Sequence, residues 1–196
     1  MKVTHLLSIL DFWDEQANED YLAILSKLIS FYEDTIQYGL ELRCRQKHLR
    51  LTEQHLNREE IIEAKLDLAA LYKRRGIEYL SAINLLESLL EEAAQMSEWL
   101  LFRIQNNLGG FSTEIGEYAR ACDLYEAALA LAVKNYETDD LNVAVSRVNL
   151  GITFAKINEN DRAKKQFEEA YRVYLNAFRP EHHLTKTTKE RLDDLQ

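Results

Sequence analysis

The stretch VNLGITFAKINENDRAKKQFEEAYRVYL, residues 148–175, decides the fold of this chain. Apolar residues recur at helical spacing on both sides of the polar break NEN, yet Gly151 falls inside the first helical half. A glycine in a helix interior costs roughly 0.5–1 kcal/mol relative to alanine. Position 151 therefore answers to something other than local propensity.

A shift of 42 residues lays Asn107, Leu108 and Gly109 on Asn149, Leu150 and Gly151. The same shift lays Ile115 on Ile157, Glu117 on Glu159, Arg120 on Arg162, Ala121 on Ala163 and Ala128 on Ala170, and it matches Tyr125 with Phe167. A shift of 40 brings an earlier pair into line: Leu68-Ala69 on Leu108-Gly109, Gly76 on Gly116, Ser81 on Ala121, Leu85 on Tyr125 and Ser88 on Ala128. Small residues meet small ones and aromatics meet aromatics, as in an internal repeat of helix, turn and helix. The glycine position wants minimal bulk so that the second helix of its own unit packs close.

These residues resemble the tetratricopeptide repeat family, in the long-repeat style of kinesin light chains. That motif sets Leu-Gly/Ala and an aromatic in the first helix against Ala, Phe/Tyr and Ala in the second. The best match is Leu150, Gly151, Phe154, Ala163, Phe167 and Ala170; the unit before it carries Ser112 at the aromatic position. The resemblance implies an all-α fold, a right-handed superhelical stack of antiparallel helix pairs. Three units are expected at about 61–98, 99–140 and 141–180 (together 57–184), with a capping helix at 185–196. Residues 1–56 are left as extra N-terminal helices: a cap, a degenerate repeat or a dimer arm. Within them the spacing predicts a short helix over Met1–Phe12. It also predicts a helix from Tyr21 that runs through Gly39 to about Leu51, some 45 Å if unbroken.

Composition agrees with an all-α protein. One proline and six glycines are too few for a sheet protein with many tight turns. A net charge of −9 argues against nucleic acid as the main partner, because duplex binding needs clustered Lys and Arg. No apolar run reaches the ~20 residues that span a bilayer, so no membrane insertion is expected. The opening MKVTHLLSILDFWDE holds one lysine and a short apolar patch but lacks a small-residue cleavage site, which points to a cytoplasmic protein. Cys44 and Cys122 have no CxxC or CxxH context and read as free thiols.

Chemistry is sparse. Histidines at 48, 55, 182 and 183 have no metal-ligand spacing, and no HExxH, phosphate loop or GxSxG occurs, so no enzyme activity, cofactor or metal is expected. The resemblance instead implies a binding surface on the first helices. Its groove-facing positions fall on Glu63, Leu66, Asp67, Ala70, Lys73 and Arg74, then on Arg103, Asn106, Asn107, Gly110, Thr113 and Glu114. In the third unit they fall on Val145, Val148, Asn149, Ile152, Ala155 and Lys156. Asn107 and Asn149 can hold the backbone of an extended peptide, since an amide both donates and accepts, or they can tie neighbouring helices together. Lys73, Arg74, Arg103 and Lys156 would favour an acidic segment, or else be ordinary solvated charge; Val145, Val148 and Ile152 would seat a helix face. The chaperone-tail carboxylate clamp of the family has no counterpart at Leu66, Ala70, Gly110, Val148 and Ile152. The expectation is a module that binds a peptide or helical segment of another protein. The alternative is a regulatory domain whose N-terminal helices respond to a peptide or protein ligand. Exposed apolar edges predict a homodimer.

Overall fold

The computed structural model describes residues 19–55, 57–76, 78–91, 97–135 and 140–195. The helix expected over Met1–Phe12 lies outside them. Among the described residues the chain is helical, without strands, and divides into two compact units, Met1–Arg75 and Gly76–Gln196. The division falls between the two helices of the first expected repeat.

The first unit contains α1 (Glu19–Asp34), α2 (Tyr38–His55) and α3 (Arg58–Arg75). The single long helix expected across Gly39 is in fact two. The break comes at residues 35–37, where Ile36 turns left-handed at φ 56°. Ile36 N–H donates to Glu33 O at 3.1 Å and Gln37 N–H to Tyr32 O at 2.9 Å, which satisfies the last carbonyls of α1. A β-branched residue pays for this conformation, and no glycine marks it in the sequence. The reversal is repaid by burial: Tyr21, Leu25 and Tyr32 of α1 close on Cys44 and Leu51 of α2. Helix α3 starts at Arg58, behind a cap at Asn57. Asn57 Oδ1 accepts from Glu60 N–H at 3.1 Å and Glu60 Oε2 accepts from Asn57 N–H at 3.2 Å, a reciprocal cap.

The second unit contains α4 (Tyr79–Leu90), α5 (Glu98–Glu114), α6 (Tyr118–Asn135), α7 (Leu141–Lys156), α8 (Asn160–Ala177) and α9 (His183–Asp193). Helices α5/α6 and α7/α8 are antiparallel pairs stacked side by side. Each first helix ends in the same way, with Gly116 at φ 83° and Asn158 at φ 60°. Glu117 N–H then reaches Ser112 O at 2.8 Å, and Glu159 N–H reaches Phe154 O at 2.9 Å. Ala121, Tyr125, Leu150, Phe154, Ala163 and Phe167 form one core cluster, and Leu192 of α9 joins it. The glycines behave as the repeat requires. A Cβ on Gly151 would lie 2.7 Å from Phe167 Cε1, and one on Gly109 2.9 Å from Tyr125 Cδ1.

Two local expectations are corrected. In α4 the core is Ala82, Leu86 and Leu89, whereas Ser81 and Ser88 are exposed. The register to α6 is therefore 39 residues in that helix, because the turn after Gly76 holds one residue more than the turn after Gly116. Secondly, α9 begins at His183 with His182 as its cap, two residues before the capping helix expected at 185–196. The α1/α2 hairpin has the same turn geometry as the α5/α6 and α7/α8 pairs. Counted from Ile36, Gly116 and Asn158, Tyr32 stands where Ser112 and Phe154 stand. On the same count Glu41, Arg45 and His48 occupy the positions of Ala121, Tyr125 and Ala128. The second-helix positions that pack as small and aromatic residues elsewhere are polar here, which hid the likeness.

Candidate functional site

In the second unit, side chains at i, i+4, i+7 and i+11 of a helix share one face. On α7 that face holds Leu141 and Val145, 40% and 39% exposed, followed by the half-buried Val148 and Ile152. Val148 and Ile152 lean on the core below, while Lys156 is exposed at the end. On α5 the matching face begins with Trp99, 40% exposed, whose ring stacks on Phe102 at 5.3 Å. The Arg103 guanidinium lies 5.9 Å from the centre of the Trp99 ring. Trp99 and Leu141 were not among the expected groove residues. The shift of 42 that pairs Asn107 with Asn149 also pairs these two, so the signal was present.

Between the two helices the expected asparagines meet one another. Asn149 Nδ2 donates to Asn106 Oδ1 at 3.2 Å, and Asn106 Nδ2 reaches Ser146 Oγ at 3.4 Å. Further along the same pair of helices, the Thr113 and Thr153 hydroxyls are 3.2 Å apart. This polar ladder joins α5 to α7. Asn107 is not in it: its amide donates to Arg103 O of its own helix at 2.9 Å. Gly110 is buried, and Glu114 is exposed.

Electrostatics beside the face are local. Lys134 and Asn135 of α6 both donate to Glu98 in the first turn of α5, and they hold its carboxyl below the usual carboxylate range. Beneath the face, burial pushes the Tyr125 hydroxyl up to about 12, against an opposing hydrogen bond with Thr113. On the second helices, Arg120 pairs with Glu87 of α4 and Arg162 with Glu126 of α6 at 2.8 Å, at equivalent positions of successive units.

The expected residues of α3 belong to the first unit. Arg74 Nη1 binds Glu33 Oε1 at 2.6 Å and Arg74 Nη2 binds Glu41 Oε1 at 2.5 Å, so this guanidinium is held by α1 and α2. Arg45 Nε donates to the same Glu41 oxygen at 2.9 Å. Lys73 is half-buried, Leu66 is fully buried, and Asp67 and Ala70 are exposed. A cavity of about 210 Å³ lies beside Arg45, His48, Ser30 and Asp67, where a repeat would place its aromatic ring. Burial lowers the His48 imidazole from its ordinary value. Among the described residues no group of three or more His, Cys, Asp or Glu side chains is placed to hold a metal, and no helix is long and apolar enough to cross a membrane.

The tetratricopeptide repeat family model matches residues 100–176. No curated protein sequence matches the chain. Among solved structures, BtubC (BKLC) from P. vanneervenii is similar at a TM-score of 0.76 and 20% identity, covering 90% of this chain and 72% of that one. Nearly identical TPR-like repeats of kinesin light chain type from Podosopora anserina align at a TM-score of 0.72 and 18% identity, over 89% of this chain and 84% of theirs. The apo form of RapI aligns at 0.75 and 14% identity, over 89% of this chain and 62% of its own. At these identities the likeness is one of fold.

Proposed function

Residues 100–176 match the tetratricopeptide repeat family model, and from that premise we propose that the chain is a non-enzymatic scaffold of that family that holds a segment of another protein against α5 and α7. The observation that carries this reading is the row of Trp99, Leu141 and Val145, three large apolar side chains left about two-fifths exposed on neighbouring first helices. Such a row, edged by Arg103, Asn107 and Lys156, suits an apolar side chain of a partner, with polar groups alongside for its backbone. Asn106 and Asn149 support the face from below by joining the helices. The reading carries with it a cytoplasmic location, a protein partner rather than nucleic acid, and self-association through the same apolar row as a competing use.

The test is capture from native lysate with Val145→Asp beside the unaltered protein. Partners held by the unaltered protein should be lost with Val145→Asp while helical content and melting temperature stay the same. Retention of every partner overturns the reading. A second reading, a regulatory domain whose N-terminal helices respond to a ligand, is favoured by the division into two compact units at Gly76, where φ is 67°. It predicts that deleting residues 1–75 changes partner affinity; unchanged affinity in the remaining fragment rejects it.

A further inference from the structure

In the second unit α5, α7 and α9 each open with a side-chain cap, and they do so with nearly the same backbone. The cap residues Ser97, Asp140 and His182 have φ/ψ of −65°/146°, −70°/142° and −63°/138°. Ser97 Oγ accepts from Leu100 N–H at 3.3 Å and Asp140 Oδ1 from Asn142 N–H at 2.7 Å. At the last helix the acceptor is an imidazole nitrogen: His182 Nδ1 accepts from Leu184 N–H at 3.4 Å. A neutral imidazole can accept through one nitrogen, but an imidazolium only donates. A cation at a helix N-terminus also opposes the helix dipole. Of the three caps, this one alone needs a neutral ring, because only the neutral imidazole offers an acceptor nitrogen.

The same ring helps to seat the helix. It stacks on Phe178, at the end of α8, with centres 4.0 Å apart. Downstream, Leu184 packs with Ala144, Ala170, Val173 and Tyr174, Thr185 Oγ1 donates to Tyr174 O at 3.4 Å, and Leu192 covers Leu150 and Phe154. The His183 ring lies 4.5 Å from that of His182, centre to centre; the other titratable and charged residues of the adjoining elements are Arg179 and Glu181 in the turn, Lys186 on α9, and Tyr174 on α8, whose ring neighbours Phe178. From α7 the same cluster receives Ala144 and Val148, neither of which is charged. We propose that α9 is a pH-sensitive latch: neutral His182 caps it onto α7 and α8, and protonation of His182 releases it and uncovers their apolar end face.

Hydrogen exchange on the full chain tests this at pH 7.5 and 5.5, with rates expressed as protection factors so that intrinsic pH dependence cancels. In the unaltered protein, protection across α9 should fall about fivefold or more at pH 5.5, the factor that loss of an N-cap brings, while α6 keeps its protection. His182→Asp, which retains a cap acceptor at both values, should hold α9 protected throughout, and His182→Ala should leave it weakly protected at both. If His182→Asp disturbs folding, His182→Ser, the residue type that caps α5, replaces it. The proposal is overturned if the unaltered protein keeps its protection at pH 5.5, if the aspartate variant loses it in parallel, or if His183→Gln abolishes the response.

Discussion

At Gly109 and Gly151 helix propensity and packing pull in opposite directions, and packing wins. Each lies under the aromatic ring of its own unit's second helix, and Phe167 is 1% exposed, so its ring has little room to retreat. Gly151→Ala should therefore destabilise by about 1–2 kcal/mol, overpacking outweighing the gain in propensity. Gly39, in the first turn of α2, has no atom within 4 Å of a built Cβ. Gly39→Ala should stabilise by about 0.4–1 kcal/mol, and denaturant melts of the two variants check both signs. Burial also raises the hydroxyls of Tyr125 and Tyr174 to about 12. Both are neutral when folded, so their contribution is whole below pH 10, the ordinary tyrosine value, and is lost as pH rises from 10 towards 12. Tyr174→Phe should flatten the alkaline fall in stability measured between pH 8 and 11.5.

Among the elements, α2 departs furthest from the pattern. Glu41 is wholly buried and Arg45 nearly so, at positions where α6 has Ala121 and Tyr125. Removing one member of a buried ion cluster leaves the other charge without compensation, which costs about 3 kcal/mol or more. Glu41→Ala should lose that much in urea unfolding. Glu41→Ala combined with Arg45→Tyr should recover most of it, because the pair restores the small-plus-aromatic packing of α6; no recovery would show that the hairpin does not share the repeat core. The cap at α7 is simpler. Asp140 Oδ1 binds Asn142 N–H at 2.7 Å, and Asp140→Ala should cost about 1 kcal/mol by the same measurement.

For the whole molecule, the division at Gly76 predicts that residues 76–196 fold alone, with cooperative loss of helical signal on heating, as nearest-neighbour packing in a repeat stack allows. A fragment without a cooperative transition would make the first unit part of the same fold. The helix pairs α5/α6 and α7/α8, their glycine–aromatic contacts and the likeness between them were legible in the sequence. A repeated packing contact demands the same small and large residues at the same spacing each time. The α1/α2 hairpin was not legible, because its reversal rests on Ile36 rather than glycine and its second helix buries ions instead of alanines. The one-residue register change in α4 was equally hidden, since Ser81 and Ser88 are small enough to pass for core. For the candidate face, sequence placed Asn107, Asn149 and Val145 on first helices, but only the tertiary structure set Asn106 against Asn149, drew Arg74 into the first unit and left Trp99 and Leu141 uncovered. Sequence by itself determined which residues repeat, because periodic packing writes itself into residue size. Which polar groups remain available to a partner was decided by the tertiary structure, because hydrogen bonds and ion pairs join residues some 33 to 43 positions apart and leave no periodic trace.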